Sequence, residues 1–166
     1  MPHKVVDPSA FDAFGPSPEQ IVFLNCPGKV PGDGVQNLVN FVEQGGFLFT
    51  PVWGLKLVFQ PGVPGTIRYN GRATGDEVVR VEIDAKEDPF LQSLISEEDD
   101  PQWWLEGSSY PIEILEKDRV EVLVQSREVK YKYGESPVFT SFDYGKGKVY
   151  HMISHFYLQR TETRTE

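Results

Sequence analysis

Pro137-Val-Phe-Thr-Ser-Phe-Asp-Tyr-Gly-Lys-Gly-Lys-Val-Tyr-His-Met-Ile-Ser-His155 is the stretch that decides the fold. Apolar and polar residues alternate on both sides of Gly145-Lys-Gly147, which predicts two strands joined by a tight turn, the second running out into a histidine. The Gly-Lys-Gly segment lacks the glycine spacing and the following helix of a phosphate-cradling loop, so a hairpin turn accounts for both glycines. Upstream, Val35, Leu38, Val39 and Val42 fall at i, i+3, i+4 and i+7, one apolar helix face, with Asp33 placed to cap it and Gly45-Gly46 to end it. Ile21-Val-Phe-Leu24 and Phe47-Leu-Phe-Thr50 are continuous apolar runs of the kind found in strands covered on both faces. Strand, helix and strand within residues 21–50 make a βαβ unit, whose crossover places the two strands side by side in parallel.

Outward from this frame the pattern loosens. Residues 51–75 are rich in glycine and proline and read as an irregular excursion, with a short helix over Trp53 to Phe59. Val78 to Ile83 alternates as one half-exposed strand, Asp88-Pro89 opens a short helix through Leu91, Leu94 and Ile95, and Ile112–Leu115 and Val120–Val124 read as further strands. Glu97-Glu-Asp-Asp100 is a solvated acidic turn, without the spaced ligands of a calcium loop. The expected fold class is α/β: one domain over residues 1–166, with a mostly parallel sheet between helices and an antiparallel C-terminal hairpin. The loop-like start and the polar end after Phe156-Tyr-Leu158 read as cuts through a longer architecture or as a minimal version of one.

Composition narrows the function classes. With 25 acidic against 16 basic residues the net charge is −9, which repels phosphate backbones and anionic membranes, and no basic cluster offsets it. Nucleic-acid and membrane partners are therefore not expected. The single cysteine, Cys26, excludes an internal disulfide and any multi-thiolate zinc site. No apolar run reaches the ~18 residues of a membrane span. The plain expectation is a soluble protein of a reducing compartment, the cytoplasm. No cofactor motif appears.

Three pieces carry a family resemblance: Ile21-Val-Phe-Leu-Asn-Cys-Pro-Gly28, Leu38-Val-Asn-Phe-Val-Glu-Gln-Gly-Gly-Phe-Leu48 and Tyr144-Gly-Lys-Gly-Lys-Val-Tyr-His-Met-Ile-Ser-His155. Their order resembles the class I glutamine-amidotransferase-like superfamily. The resemblance implies a flavodoxin-like three-layer α/β/α sandwich, and the superfamily's non-enzymatic branches imply a module inside larger assemblies. Its enzymes place a nucleophilic cysteine in Gly-x-Cys-x-Gly, followed by a histidine and an acidic residue. This chain departs from that pattern: Cys26 stands in Asn25-Cys26-Pro27-Gly28, after the first strand, and Tyr157 stands where an acidic residue should follow His155.

The expected function is accordingly a catalytically inactive module that binds a ligand or a protein, a second copy of the chain included. Its surface lies at the strand C-terminal edge, where α/β sheets bind ligands: Asn25, Cys26, Gly28, Thr50, Trp53, Trp103 and His155. The alternative is a small thiol hydrolase or acyl-transfer enzyme with Cys26 as nucleophile and His155 as base. A helix N-terminus and an imidazole near the thiol would lower its pKa. A third reading is a fragment of a sugar-metabolism protein, with Trp53 and Trp103 stacking on sugar faces. His151 and His155 lie about 13 Å apart along an extended strand, too far to share a metal ion. The remaining aromatics of the middle region, Tyr69 and Tyr110 among them, read either as a pocket or partner surface or as a second small core pinning the excursion to the sheet.

Overall fold

In the computed structural model of the protein, which describes residues 3–7, 10, 13–26, 30, 33–92 and 101–155, the first apolar run becomes strand β1 (Ile21–Phe23). Helix α1 (Gly34–Glu43) follows and buries Leu38, Val39, Phe41 and Val42, the stripe that its periodicity marks out. Asp33 stands at its N-cap position but makes no side-chain capping bond. Strand β2 (Phe47–Pro51) then pairs with β1 in parallel, Ile21 opposite Phe47 and Phe23 opposite Phe49. The deciding stretch folds into β9 (Pro137–Tyr144) and β10 (Gly147–Met152), antiparallel to each other, and β10 lies along the free side of β2 in parallel.

Both glycines of the hairpin turn face the end of α1. A β-carbon on Gly147 would fall 2.2 Å from the carbonyl oxygens of Val42 and Gly46, and the Lys146 N–H donates to the Glu43 carbonyl at 3.0 Å. Close backbone approach, beyond the turn itself, requires glycine there.

The remaining strands correct the expected architecture. The principal sheet has the order β1-β2-β10-β9-β8-β5, with β5 at Glu82–Ile83 and β8 at Val120–Gln125. Its β1–β2 and β2–β10 pairings are parallel, whereas β10–β9, β9–β8 and β8–β5 are antiparallel. The sheet is mixed, not mostly parallel. Two-stranded ladders, β3 (Ile67–Tyr69) with β7 (Ile112–Ile114) and β4 (Glu77–Arg80) with β6 (Gln102–Leu105), lie beside it. The alternating run at 78–83 is thus two strands in different sheets, split at Val81.

Nor is the molecule a flavodoxin-like three-layer sandwich. On one sheet face, Leu48, Val149 and Phe142 lie under α1 and under a helical segment made of the π-turn Leu55–Phe59 and α2 (Gln60–Gly62). Phe59 sets its ring edge-on to Phe142 at 5.6 Å. The opposite face is covered through Phe90, whose ring lies 5.3 Å from Phe49, 5.6 Å from Tyr150 and 5.8 Å from Phe139. Asp88 to Gln92 form turns there, and Leu94 and Ile95 of the expected helix lie outside the described residues, as does the acidic turn at 97–100. Among the described residues that face carries no helix, and Phe23 at its edge remains 52% exposed.

The reason is legible in the periodicities. A second helical layer needs apolar stripes at 3.6-residue spacing, but the runs that become β4, β7, β8, β9 and β10 alternate at period two and spend their apolar residues on strands. The third helix, α3 (Arg127–Tyr133), has Ser126 as its N-cap, accepting from the Val129 N–H at 3.3 Å, and Gly134 at φ +94° as its stop. It packs against β4 and joins two antiparallel neighbours, so it is not a crossover helix. Among the described residues no helix is long and apolar enough to cross a membrane.

Candidate functional site at the strand ends

The C-terminal ends of β1, β2, β6 and β10 carry most of the residues singled out in the sequence. Cys26 follows β1 and is half-buried; Trp53 follows β2 and is 39% exposed; Trp103 lies in β6 and is half-buried; His155 follows β10 and is half-buried. Asn25 is exposed beside Cys26, and Gly28 lies outside the described residues.

Thr50 does not belong to this rim. It shares the face of Leu48, is fully buried, and its Oγ1 lies 2.8 Å from Nδ1 of His151. Strand alternation turns it inward, so it supports a core histidine and presents nothing to a ligand. His151 is sealed with it, edge-on to Phe59 at 5.4 Å, and its Nε2 has no hydrogen-bond partner among the described residues. Burial pushes its imidazole down from 6.5 to about 3, against a smaller opposing contribution from the Thr50 backbone. It is neutral at any physiological pH.

His155, four residues on, meets a different environment. Its Nδ1 is hydrogen-bonded to the Glu106 carboxylate, which stands just past β6. The same carboxylate acts on Cys26: burial first and the Glu106 charge second push the thiol above its ordinary range, and a hydrogen bond with the Trp53 side chain opposes them. Glu106 therefore links Cys26 and His155. Sequence inspection misses it, because 49 residues separate it from His155 and no local pattern marks it. The rim is braced by Trp103, whose indole N–H donates to Ser154 Oγ at 2.6 Å, while Ser154 Oγ donates to the Trp104 carbonyl at 2.9 Å. Trp104 is held separately, its N–H donating to Asp76 at 2.6 Å. The adjacent tryptophans point opposite ways and each is tied down.

A second feature emerges at the end of β2. Val52 has φ +28°, a conformation that is a genuine outlier for a β-branched residue. It is held there by its N–H donating to the Met152 carbonyl at 3.0 Å, while its own carbonyl accepts from the Leu55 N–H at 3.3 Å. Two residues later Gly54 backs onto the strand so closely that a β-carbon would lie 2.6 Å from Cβ of Thr50. A strand, a strained residue, a glycine two positions on and a helix reproduce the local geometry of a nucleophile elbow. The strained position carries an isopropyl group that is 2% exposed. The available signal in the sequence was Thr50-Pro-Val-Trp-Gly54, which keeps the spacing of that turn without its nucleophile.

Trp53 opens a cluster of aromatics. Its ring lies 5.8 Å from that of Tyr110, which lies 4.3 Å from that of Tyr69, and the Lys56 ammonium stands 5.3 Å from both tyrosine centroids. Among the described residues no group of three or more His, Cys, Asp or Glu side chains is gathered to hold a metal ion.

No family model matches the chain, and no curated protein does. Solved structures do. The chain is similar to exo-β-1,4-mannosidase Op5Man5 from Opitutaceae bacterium strain TAV5, with a TM-score of 0.53 and 17% identity over 84% of this chain and 21% of that one. It is also similar to cytoplasmic protein STM3548 from Salmonella typhimurium (TM-score 0.56, 12% identity, 92% of this chain and 65% of that one). The mmIFT52 N-terminal domain matches with a TM-score of 0.51 and 10% identity, over 90% of this chain and 69% of that one. The chain thus spans about a fifth of the mannosidase and just under two thirds of STM3548. At these identities the likeness is one of fold alone, and none of the three is named as an amidotransferase.

Proposed function

We propose that this chain is a catalytically silent binding module whose working surface is the rim formed by Cys26, Trp53, Trp103, Glu106 and His155. The observation that carries this reading is Val52: the strained turn where a nucleophile elbow would present its reactive atom holds a buried valine. The state of Cys26 agrees with it. A nucleophilic thiol has its pKa lowered by cationic neighbours, whereas burial and a carboxylate raise this one. An open tryptophan face beside a carboxylate–imidazole pair is a recognition surface: an apolar platform with polar groups at its edge.

One observation favours a second reading. Glu106 orients His155 while standing close enough to influence Cys26, so a thiol, an imidazole and a carboxylate converge on one rim. A thiol hydrolase or acyl transferase would use Cys26 as nucleophile and His155 as base. The two readings separate on the alkylation of Cys26 by iodoacetamide between pH 6 and 9. The binding-module reading expects a rate below that of a free cysteine at every pH. A rate above it near neutral pH, together with loss of ester turnover in Cys26→Ser at unchanged stability, would sink that reading in favour of the enzyme.

A further inference from the structure

Trp53, Lys56, Tyr69 and Tyr110 come from three separate parts of the chain: the turn and helix after β2, strand β3, and the loop before β7. Their convergence is a tertiary construction. The Tyr69 and Tyr110 rings pack 4.3 Å apart at 35°, Trp53 adjoins Tyr110 at 5.8 Å and 52°, and the Lys56 ammonium lies 5.3 Å from both tyrosine centroids. A cation within ~6 Å of a ring centroid is attracted by the negative face of the ring quadrupole. Among the described residues Lys56 forms no ion pair with a carboxylate, so the rings themselves hold its charge. The lysine is exposed and the two tyrosines are half-buried, so the cation reaches the rings from the solvent side.

We infer that Trp53, Tyr69 and Tyr110 form a cation-accepting aromatic site, held in the free protein by the chain's own Lys56, and that its external ligand carries a quaternary ammonium group. A primary ammonium is compact and strongly hydrated, and gives up much of its hydration to sit on a ring. A quaternary ammonium is broader and more weakly hydrated, so it gains more from three rings than Lys56 gains from two. Glu106, whose charge acts on the Cys26 thiol that Trp53 hydrogen-bonds, and the net charge of −9 both favour an arriving cation. Lys56 sits on a flexible stem at the mouth, so it leaves without disturbing the core.

The inference deepens the binding-module reading by naming the ligand's chemistry, and it rests on that reading. The two fail separately: alkylation of Cys26 reports on the silent thiol and is indifferent to cations. The test is calorimetric titration of the full chain with tetramethylammonium chloride against matched sodium chloride. Lys56→Met, a change at an exposed residue, is expected to tighten binding by about five- to thirtyfold. Lys86→Met, an equal change of charge at another exposed lysine, is expected to leave it unchanged. Tyr110→Phe should retain binding, and Tyr110→Leu should lose it. Absence of binding to the Lys56→Met protein overturns the inference. So does equal binding of the neutral isostere 3,3-dimethyl-1-butanol, which would mark a merely apolar cleft, or an equal gain in Lys86→Met.

Discussion

His151 and His155 are separated by one turn's worth of sequence and by the whole difference between interior and rim. His151 closes the sheet face under Phe59, bonded through one nitrogen to Thr50 and stripped of water. His155 stands past the end of β10, half-open and joined to Glu106. The same contrast runs between the two polar residues that follow β1 and lie within β2: Cys26 faces the rim, Thr50 the core. Residue type therefore says little here about chemical role. What decides it is where the strand ends, because alternation buries every second residue before that point and releases the chain after it.

Three measurements press on this contrast, the first with the largest expected effect. Phe59→Ala should cost about 3–5 kcal/mol in urea unfolding, since it removes a fully buried ring from Phe142 and His151 together. A loss below about 1 kcal/mol would mean that this face is loosely packed and that the interior and the rim differ little.

The acid response of His151 is next. Its folded pKa of about 3 lies below its unfolded value of 6.5. Between those values the unfolded chain binds the extra proton, so stability falls as pH drops from 6.5 towards 3 and is unaffected by this group above 6.5. Stability should fall by up to about 1.4 kcal/mol per pH unit across the window, less the relief from local opening. Comparing the pH dependence of unfolding in His151→Leu with that of the parent chain isolates this group. A variant slope as steep as the parent's would place the acid sensitivity elsewhere.

The smallest effect belongs to the rim. Glu106→Gln removes the charge that helps hold the Cys26 thiol high and should raise iodoacetamide reactivity at pH 8 by about two- to fivefold. Stability should change by less than about 1 kcal/mol, as expected for a half-open polar residue. An unchanged alkylation profile would show that burial alone governs the thiol and that Glu106 serves only His155.

Much of the fold's local content can be read from the chain, and the reasons are local. The apolar stripe of α1, the runs of β1 and β2, and the alternating arms of the 137–152 hairpin each carry their own periodicity. Helix α3 was equally legible from Ser126 and Gly134 but is easily passed over, because at seven residues it is too short to show a full apolar stripe. The mostly parallel sheet extends one βαβ unit to the whole molecule, and the antiparallel partners β9, β8 and β5 overturn it. The three-layer arrangement is what the family resemblance implies, and the short helices of the described residues do not build it. Of the candidate site, Cys26, Trp53, Trp103 and His155 do converge on the strand ends, whereas Thr50 turns inward and Glu106, Val52 and Lys56 come from the tertiary structure.

By itself the sequence determined the acidic charge, the lone thiol and the identity of the strongest helix and strands, because these depend on composition and on residues within a few positions of one another. Only the tertiary structure decided which strands pair in which direction, which histidine is sealed, and that a valine occupies the strained turn after β2. Those outcomes depend on contacts between segments tens of residues apart, such as Glu106 with His155 and Lys56 with Tyr110. Packing of the whole chain selects such contacts, and no short-range pattern encodes them.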